Sequence, residues 1–272
     1  RRTKAEGAAD LPPKTEIDRS CLFGPRQRRL YDALAIAVRQ AVARDARKRK
    51  AARTHLSVLT GILRLRQMAC DPRLVDPEAW SSYAAATPIE RPLAADSAKL
   101  AAFLDVVREL ASEGRRALVF SQFVELLSLW RQDLDRLKVD YAYLDGSTTD
   151  RDAVVDRFRR GSAPLFLISL RAGGAGLNLP EADTVIHCDP WWNPAVEDQA
   201  HRIGQSRPVT VVRLVAQGTI EDKIALLKEK KQELAAAVLE GGAGPLGLAE
   251  EELMRLLGDV EGAPDDEDGI PP

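Results

Sequence analysis

Leu165-Phe166-Leu167-Ile168-Ser169-Leu170-Arg171-Ala172-Gly173-Gly174-Ala175-Gly176 is the stretch on which the reading of the fold turns. Residues 165–170 form a nearly continuous apolar run, as expected of a strand covered on both sheet faces. Glycines follow at once. Where no Cβ stands in the way, backbone N–H groups can approach a ligand closely, and phosphate is the usual ligand. A tight turn is the other reading of the same glycines. No Gly-Lys-Ser/Thr follows, so the loop is not a Walker A sequence.

The pattern repeats on both sides. Ala117–Phe120, Tyr141–Leu144, Val185–His187 and Val209–Val215 read as further strands. Between them, Leu100, Phe103, Leu104, Val107 and Leu110 mark an amphipathic helix; Leu126, Leu127, Trp130, Leu134 and Leu137 mark a second, and Val154–Phe158 lies on a third. Thr219 with Asp222 resembles a capping box. It opens a long helix whose stripe is Ile220, Ile224, Leu227 and Leu234. Strands alternating with helices predict an α/β fold with a mainly parallel sheet.

Residues 1–95 show no strand-rich pattern. Two helices are expected over 25–70, with stripes Leu30, Leu34, Val38 and Leu56, Leu59, Leu63. Between them lies a basic run: Arg44, Arg47, Lys48, Arg49, Lys50 and Arg53, opposed by Asp45 alone. Such a run is a solvated face unless it shares a side with ligand-binding loops. Asp71-Pro72 ends the second helix, because proline disfavours the helical conformation just before it. Pro77, Pro88 and Pro92 mark a linker. Asp265, Asp266, Glu267 and Asp268 predict a disordered acidic tail.

Hydrophobic residues are 45% and charged residues 29% of the 272, enough for a globular core. The net charge of −2 announces no nucleic acid, so a DNA site must come from local clustering. Cys21, Cys70 and Cys188 are odd in number and far apart, which argues against a disulfide framework or a zinc site and suits a reducing cytoplasm. No stretch approaches the roughly 18 apolar residues of a membrane span. The start, Arg1 to Asp10, shows no signal peptide and no Met, so a fragment or processed piece is expected.

Two further stretches carry candidate chemistry. Asp189-Pro190-Trp191-Trp192-Asn193-Pro194 follows a strand; its tryptophans either offer a stacking surface or plug the sheet edge. In Gln199-Ala200-His201-Arg202-Ile203-Gly204-Gln205, an arginine at a sheet rim can meet phosphate through its fork of donors. His201 has no readable carboxylate partner. There is no Ser/His/Asp set, no HExxH and no pair of CxxC motifs.

Taken in order, these pieces resemble the Snf2 (Swi2) family of helicase-like ATPases. Arg1–Lys4 with Leu11–Glu16 is similar to the junction after the first lobe. Gln27–Tyr31, Leu63–Gln67 and Cys70–Pro72 resemble the second helical insertion. Val119–Phe123 resembles motif IV, Leu144–Ser147 the next block, Ser169–Leu179 motif V, and Asp189–Pro194 with His201–Gln205 motif VI and its approach. The resemblance implies a RecA-like second lobe over 96–240, an inter-lobe junction over 1–24, a helical protrusion and linker over 25–95, and a C-terminal extension over 241–272.

It also implies a function: an ATP-driven translocase on double-stranded DNA that does not separate the strands. ATP and Mg2+ are bound mainly by a first lobe whose Walker A lysine and acidic motif are not in this sequence. The chain alone is therefore expected to be inactive. The resemblance assigns Arg202 as arginine finger, Gly174, Gly176, Gln199 and Arg202 to the nucleotide, and Ser121, Gln122, Gly146, Ser147, Ser169, Arg171 and Trp191 to DNA, with no metal ligand here. Partners implied are double-stranded DNA, the first lobe, and a nucleoprotein or RNA polymerase, with no membrane. The Ala- and Arg-rich composition suggests a bacterial source and a cytoplasmic, nucleoid location.

The sequence departs from the family pattern once. Gln199-Ala200 joins His201 directly, where the family has about four more residues including another arginine. The motif is thus about one helical turn, roughly 6 Å, shorter. A non-catalytic DNA- or protein-binding module on the same fold is the alternative reading this leaves.

Overall fold

The computed structural model describes residues 12–47, 51–75, 92–173, 177–189, 207–226 and Leu257. Six strands form one sheet: β1 (Lys14–Cys21), β2 (Ala117–Ser121), β3 (Tyr141–Leu144), β4 (Leu165–Ser169), β5 (Thr184–His187) and β6 (Val209–Ala216). Their order is β1-β6-β5-β2-β4-β3, and every neighbouring pair is parallel. Parallel neighbours need crossovers, and helices supply them. These are α3 (Ala98–Glu113), α4 (Val124–Arg136) and α5 (Arg151–Arg160). The fold is α/β and RecA-like.

β2, β4 and β5 are buried at every position, which accounts for their unbroken apolar runs. One core lies on the α3–α4 side around Phe103, Trp130 and Val119; the other lies under α5 around Phe120, Phe158 and Phe166. Phe103 and Trp130 stack at 4.5 Å.

β1 is a strand the sequence analysis did not expect, within the stretch read as a junction. Its sequence, KTEIDRSC, is polar because it is an edge strand with exposed faces. Charges at an edge also discourage pairing with other chains. Arg213 of β6 ties it down through Glu16 and Asp18.

The two expected N-terminal helices are α1 (Pro25–Arg47) and α2 (Ala51–Cys70), and Asp71-Pro72 does end α2. The stripe Leu30, Leu34, Val38 is buried, but the stripe expected on α2 is not the packed one. Leu56, Leu59 and Leu63 are 63%, 42% and 42% exposed, while Val58, Ile62, Leu65 and Met68 face α1. Both sets have helical spacing. Gly61 decides between them: a Cβ there would sit 2.3 Å from Val38 Cγ1, so the helices close on that face. On α4, Leu137 likewise lies outside the core, at the helix end.

The hairpin is fastened to the sheet domain by buried polar groups. Gln27 donates from Nε2 to Met68 O and accepts from Ala98 N. Tyr31 Oη accepts from Ile220 N at 2.7 Å. Asp71 takes both arms of Arg73, which also reaches Asp133 on α4. At the sequence-predicted capping box, Asp222 accepts from Thr219 N while Thr219 Oγ1 accepts from Glu221 N.

Candidate functional site

In an open parallel sheet, ligands meet the crevice outside the carboxyl ends of the strands. Here that rim collects the described candidate residues. Asp189 follows β5, Ser121 ends β2 with Gln122 just beyond, Ser169 ends β4 with Arg171 just beyond, and Asp145 to Thr148 follow β3. Ser121 and Ser169 are register partners on adjacent strands.

Asp189 organises the centre of the rim. Its Oδ2 accepts from Ser121 Oγ at 2.7 Å and from Gln122 N at 2.9 Å. Ser121 Oγ in turn accepts from Phe123 N. Ser121 and Ser169, expected at the DNA backbone, are buried, and their hydroxyls serve the chain; Ser169 Oγ accepts from Ala172 N. They hold the rim from behind. Among the described residues, Gln122 Nε2 and Asp189 Oδ1 are buried without a hydrogen-bond partner in the chain.

The turn after β3 is built on a carboxylate. Asp145 accepts from the Tyr143 hydroxyl at 2.7 Å, from Ser147 N and Oγ, and from Thr148 Oγ1. The Tyr143 hydroxyl and then the Ser147 donors hold its pKa down to about 2 against the opposing effect of burial. Burial and the same contact push Tyr143 up to about 12. The Asp145 scaffold leaves Gly146 and Ser147 exposed, with open space where a Gly146 Cβ would point.

The pKa has a consequence for stability. Asp145 is depressed from an ordinary 3.8, so its contribution is complete above about pH 4 and lost as pH falls towards 2. Asp145→Asn should lower the urea midpoint at pH 7, and the gap to wild type should narrow between pH 4 and 2. A gap that stays constant with pH would contradict this.

Behind the rim sits an ion pair that the sequence analysis did not find. Lys99 of α3 is fully buried; its Nζ lies 2.7 Å from Glu221 Oε2 and donates to Cys188 O at 2.9 Å. Burial pulls the ammonium down, but the Glu221 carboxylate outweighs it and holds the pKa above its usual range. Burial pushes Glu221 upward, while Lys99 and Ala216 N hydrogen-bond its carboxylate. Cys188 N donates to Phe120 O. The chain thus leaves β5 clamped at Cys188 by Lys99 and at Asp189 by Ser121. All three cysteines are buried and free.

Arg171 is exposed on the rim, and Gly173 packs so closely that a Cβ would lie 3.0 Å from the Phe120 ring. Gly174, Gly176, Trp191, Gln199 and Arg202 lie outside the described residues. Of the basic run, Arg44 and Arg47 lie in the last turn of α1 and Arg53 lies near the start of α2, while Lys48, Arg49 and Lys50 lie outside the described residues. Arg66, whose guanidinium lies over Phe123 beside Gln122, is 13 residues along α2 from Arg53, about 20 Å of helix. Among the described residues no His, Cys, Asp and Glu group is placed to hold a metal.

Residues 98–206 match the helicase conserved C-terminal domain. The SWI2/SNF2 ATPase core domain of Sulfolobus solfataricus superposes with a TM-score of 0.70 at 27% identity, over 94% of this chain and 51% of that one. The chain belongs to the SWI2/SNF2 family, as its C-terminal helicase lobe. The same Sulfolobus core in complex with dsDNA gives a TM-score of 0.66 at 28% identity, over 89% of this chain and 49% of that one. An uncharacterized ATP-dependent helicase of Mycoplasma genitalium is 32% identical over 265 residues, 94% of this chain and 24% of that protein. The chromatin-remodeling ATPase INO80 of Aspergillus oryzae is 42% identical over 163 residues, 57% of this chain and 11% of that protein. This SWI2/SNF2 lobe thus spans about a quarter or less of the curated relatives it matches.

Proposed function

We propose that the chain is the second motor lobe of an ATP-driven translocase on double-stranded DNA. ATP and Mg2+ are held mainly by a first lobe; this lobe contributes backbone contacts to the duplex and Arg202 as an arginine finger. Alone it does not hydrolyse ATP. The observation that carries the reading is the rim: one end of the sheet presents the exposed Gly146, Ser147 and Arg171. The likeness to a core solved with dsDNA supports the choice of ligand. Ser121, Ser169 and Asp145 keep this surface in shape, and Trp191 adds to it. Contacts of this kind meet phosphates and position the protein without reading sequence.

The test is binding of the chain to short duplex DNA across salt concentrations. Log K should fall linearly with log salt, with a slope of about −0.9 for each phosphate neutralised by an arginine or lysine, equally for unrelated sequences. Binding that is absent at low salt, or indifferent to salt, would remove DNA from the proposal. The shortened stretch between Ala200 and His201 favours a second reading, a DNA- or protein-binding module without hydrolysis.

A further inference from the structure

Leu56, Leu59 and Leu63 form an exposed apolar stripe on α2, while Val58, Ile62, Leu65 and Met68 belong to the core that closes on α1. Spacings of three and four residues put the three leucines on one face across about two turns, roughly 10 Å of helix. Those are the spacings at which one helix packs along another. The stripe has the pattern of a packed face, yet a different set of residues makes the packing of this helix inside the chain. Leu56 also stands ten residues, about 15 Å, along α2 from Arg66 at the rim. The stripe is thus separate from the surface assigned to DNA.

Its surroundings are basic. α2 holds three arginines and no aspartate or glutamate, and α1 holds six arginines against two aspartates. The chain as a whole has a net charge of −2. Both aspartates have partners within the hairpin: Asp32 lies 3.6 Å from Arg28, and Asp45 accepts from Ser57 Oγ at 2.6 Å. The approach of Val38 to Gly61 sets the register of the two antiparallel helices. Counting five residues along each from that contact, Leu56 stands level with Ala43, next to Arg44. Arg44 and Arg47 are exposed in the last turn of α1, so the stripe has a basic end.

We propose that the outer face of α2 docks an amphipathic helix of a protein partner, one with leucine-type residues spaced three and four apart and carboxylates beside them. Contiguous exposed apolar surface marks protein contacts, and a helix laid along a helix is a recurring way to cover it. The leucines supply the apolar contact; Arg44 and Arg47 meet the carboxylates and set the direction in which the partner lies. Duplex DNA fits less well, because phosphates gain from the arginines and nothing from three leucines. The surface needs neither ATP nor the rim, so it stands apart from the translocase reading.

The experiment is fluorescence anisotropy with the full chain and labelled heptad peptides carrying leucine at a and d and glutamate at e and g. Repulsion among the glutamates discourages pairing of the peptides with one another. This peptide should bind at least about tenfold more tightly than versions with lysine for glutamate or alanine for leucine. Leu59→Glu and Leu56→Glu should each weaken it by about tenfold or more, since a charge would then be buried in the seam. Both positions are exposed and glutamate is a good helix former, so the circular dichroism of the chain should not change. Arg44→Glu should weaken binding by about threefold, an effect that fades with added salt. No binding of the acidic peptide, equal binding of all three peptides, or binding untouched by both leucine variants overturns the proposal. Duplex affinity that falls with Leu59→Glu would assign the stripe to DNA, and a dimer of the chain abolished by the same change would assign it to a second copy; either result overturns it as well.

Discussion

Replacing Lys99 by methionine is expected to destabilise the chain by about 3–5 kcal/mol, the loss typical when one partner of a buried pair is removed. The side chain is fully buried, and the change leaves Glu221 in the core without its counter-charge. It also removes the donor to Cys188 O. Methionine nearly matches the volume, so the loss is electrostatic rather than a cavity. The double variant Lys99→Met with Glu221→Gln should recover much of it, because no charge then stays buried and the amide oxygen can still accept from Ala216 N. Urea unfolding of the three proteins measures this. A single-variant loss under about 1 kcal/mol, the scale of a solvent-exposed pair, would show that the pair is not the clamp described here.

That pair also shows where sequence reading stops. The sheet was legible because its strands are buried on both faces or alternate cleanly: β2 to β6 fall within a residue or two of the apolar runs that marked them. The edge strand β1 was not, since a strand with exposed faces has no reason to be apolar, and its partner lies almost 200 residues away. The face of α2 was misjudged because two leucine-rich stripes share one helix, and only the approach of Val38 to Gly61 chooses between them. Lys99 left a readable trace: it stands four and seven residues before Phe103 and Val106, on the buried stripe of α3. A lysine at that spacing asks for a buried acid, but nothing local names Glu221.

The rim was legible as an order of motifs, not as a geometry. Ser121, Gln122, Gly146, Ser147, Ser169 and Arg171 do gather at one end of the sheet. Their division of labour was not visible. Two serines with similar motif positions proved to be buried hooks, and Asp145 and Asp189, which carried no assigned role, proved to hold the loops together. The Asp189 role depends on a partner 68 residues away that the fold brings beside it, whereas the Asp145 role is local, with a partner two residues along the same turn.

Arg202→Ala should lower DNA-stimulated ATP turnover by about 10³-fold in the two-lobed polypeptide, with DNA affinity little changed. The expected size follows from the role. As the γ-phosphoryl group transfers, charge spreads over its oxygens, and a guanidinium placed there stabilises the transition state more than bound ATP. The loss should therefore fall on kcat. Arg202→Lys should not restore it, since one ammonium cannot reproduce the planar fork of donors. Two features bear on the outcome. The chain enters this stretch from Cys188 and Asp189, which Lys99 and Ser121 fix in place, so the approach to Arg202 starts from a rigid point. Against that, Gln199-Ala200 abuts His201 where the family resemblance implies a further arginine, leaving Arg202 and His201 as the basic groups of the motif. A lobe that hydrolyses with this single arginine must depend on it more heavily, so the fall should be at least as large as where two share the charge. Turnover unchanged by Arg202→Ala would sink the arginine-finger role and favour the binding module, in which the shortened motif records lost hydrolysis.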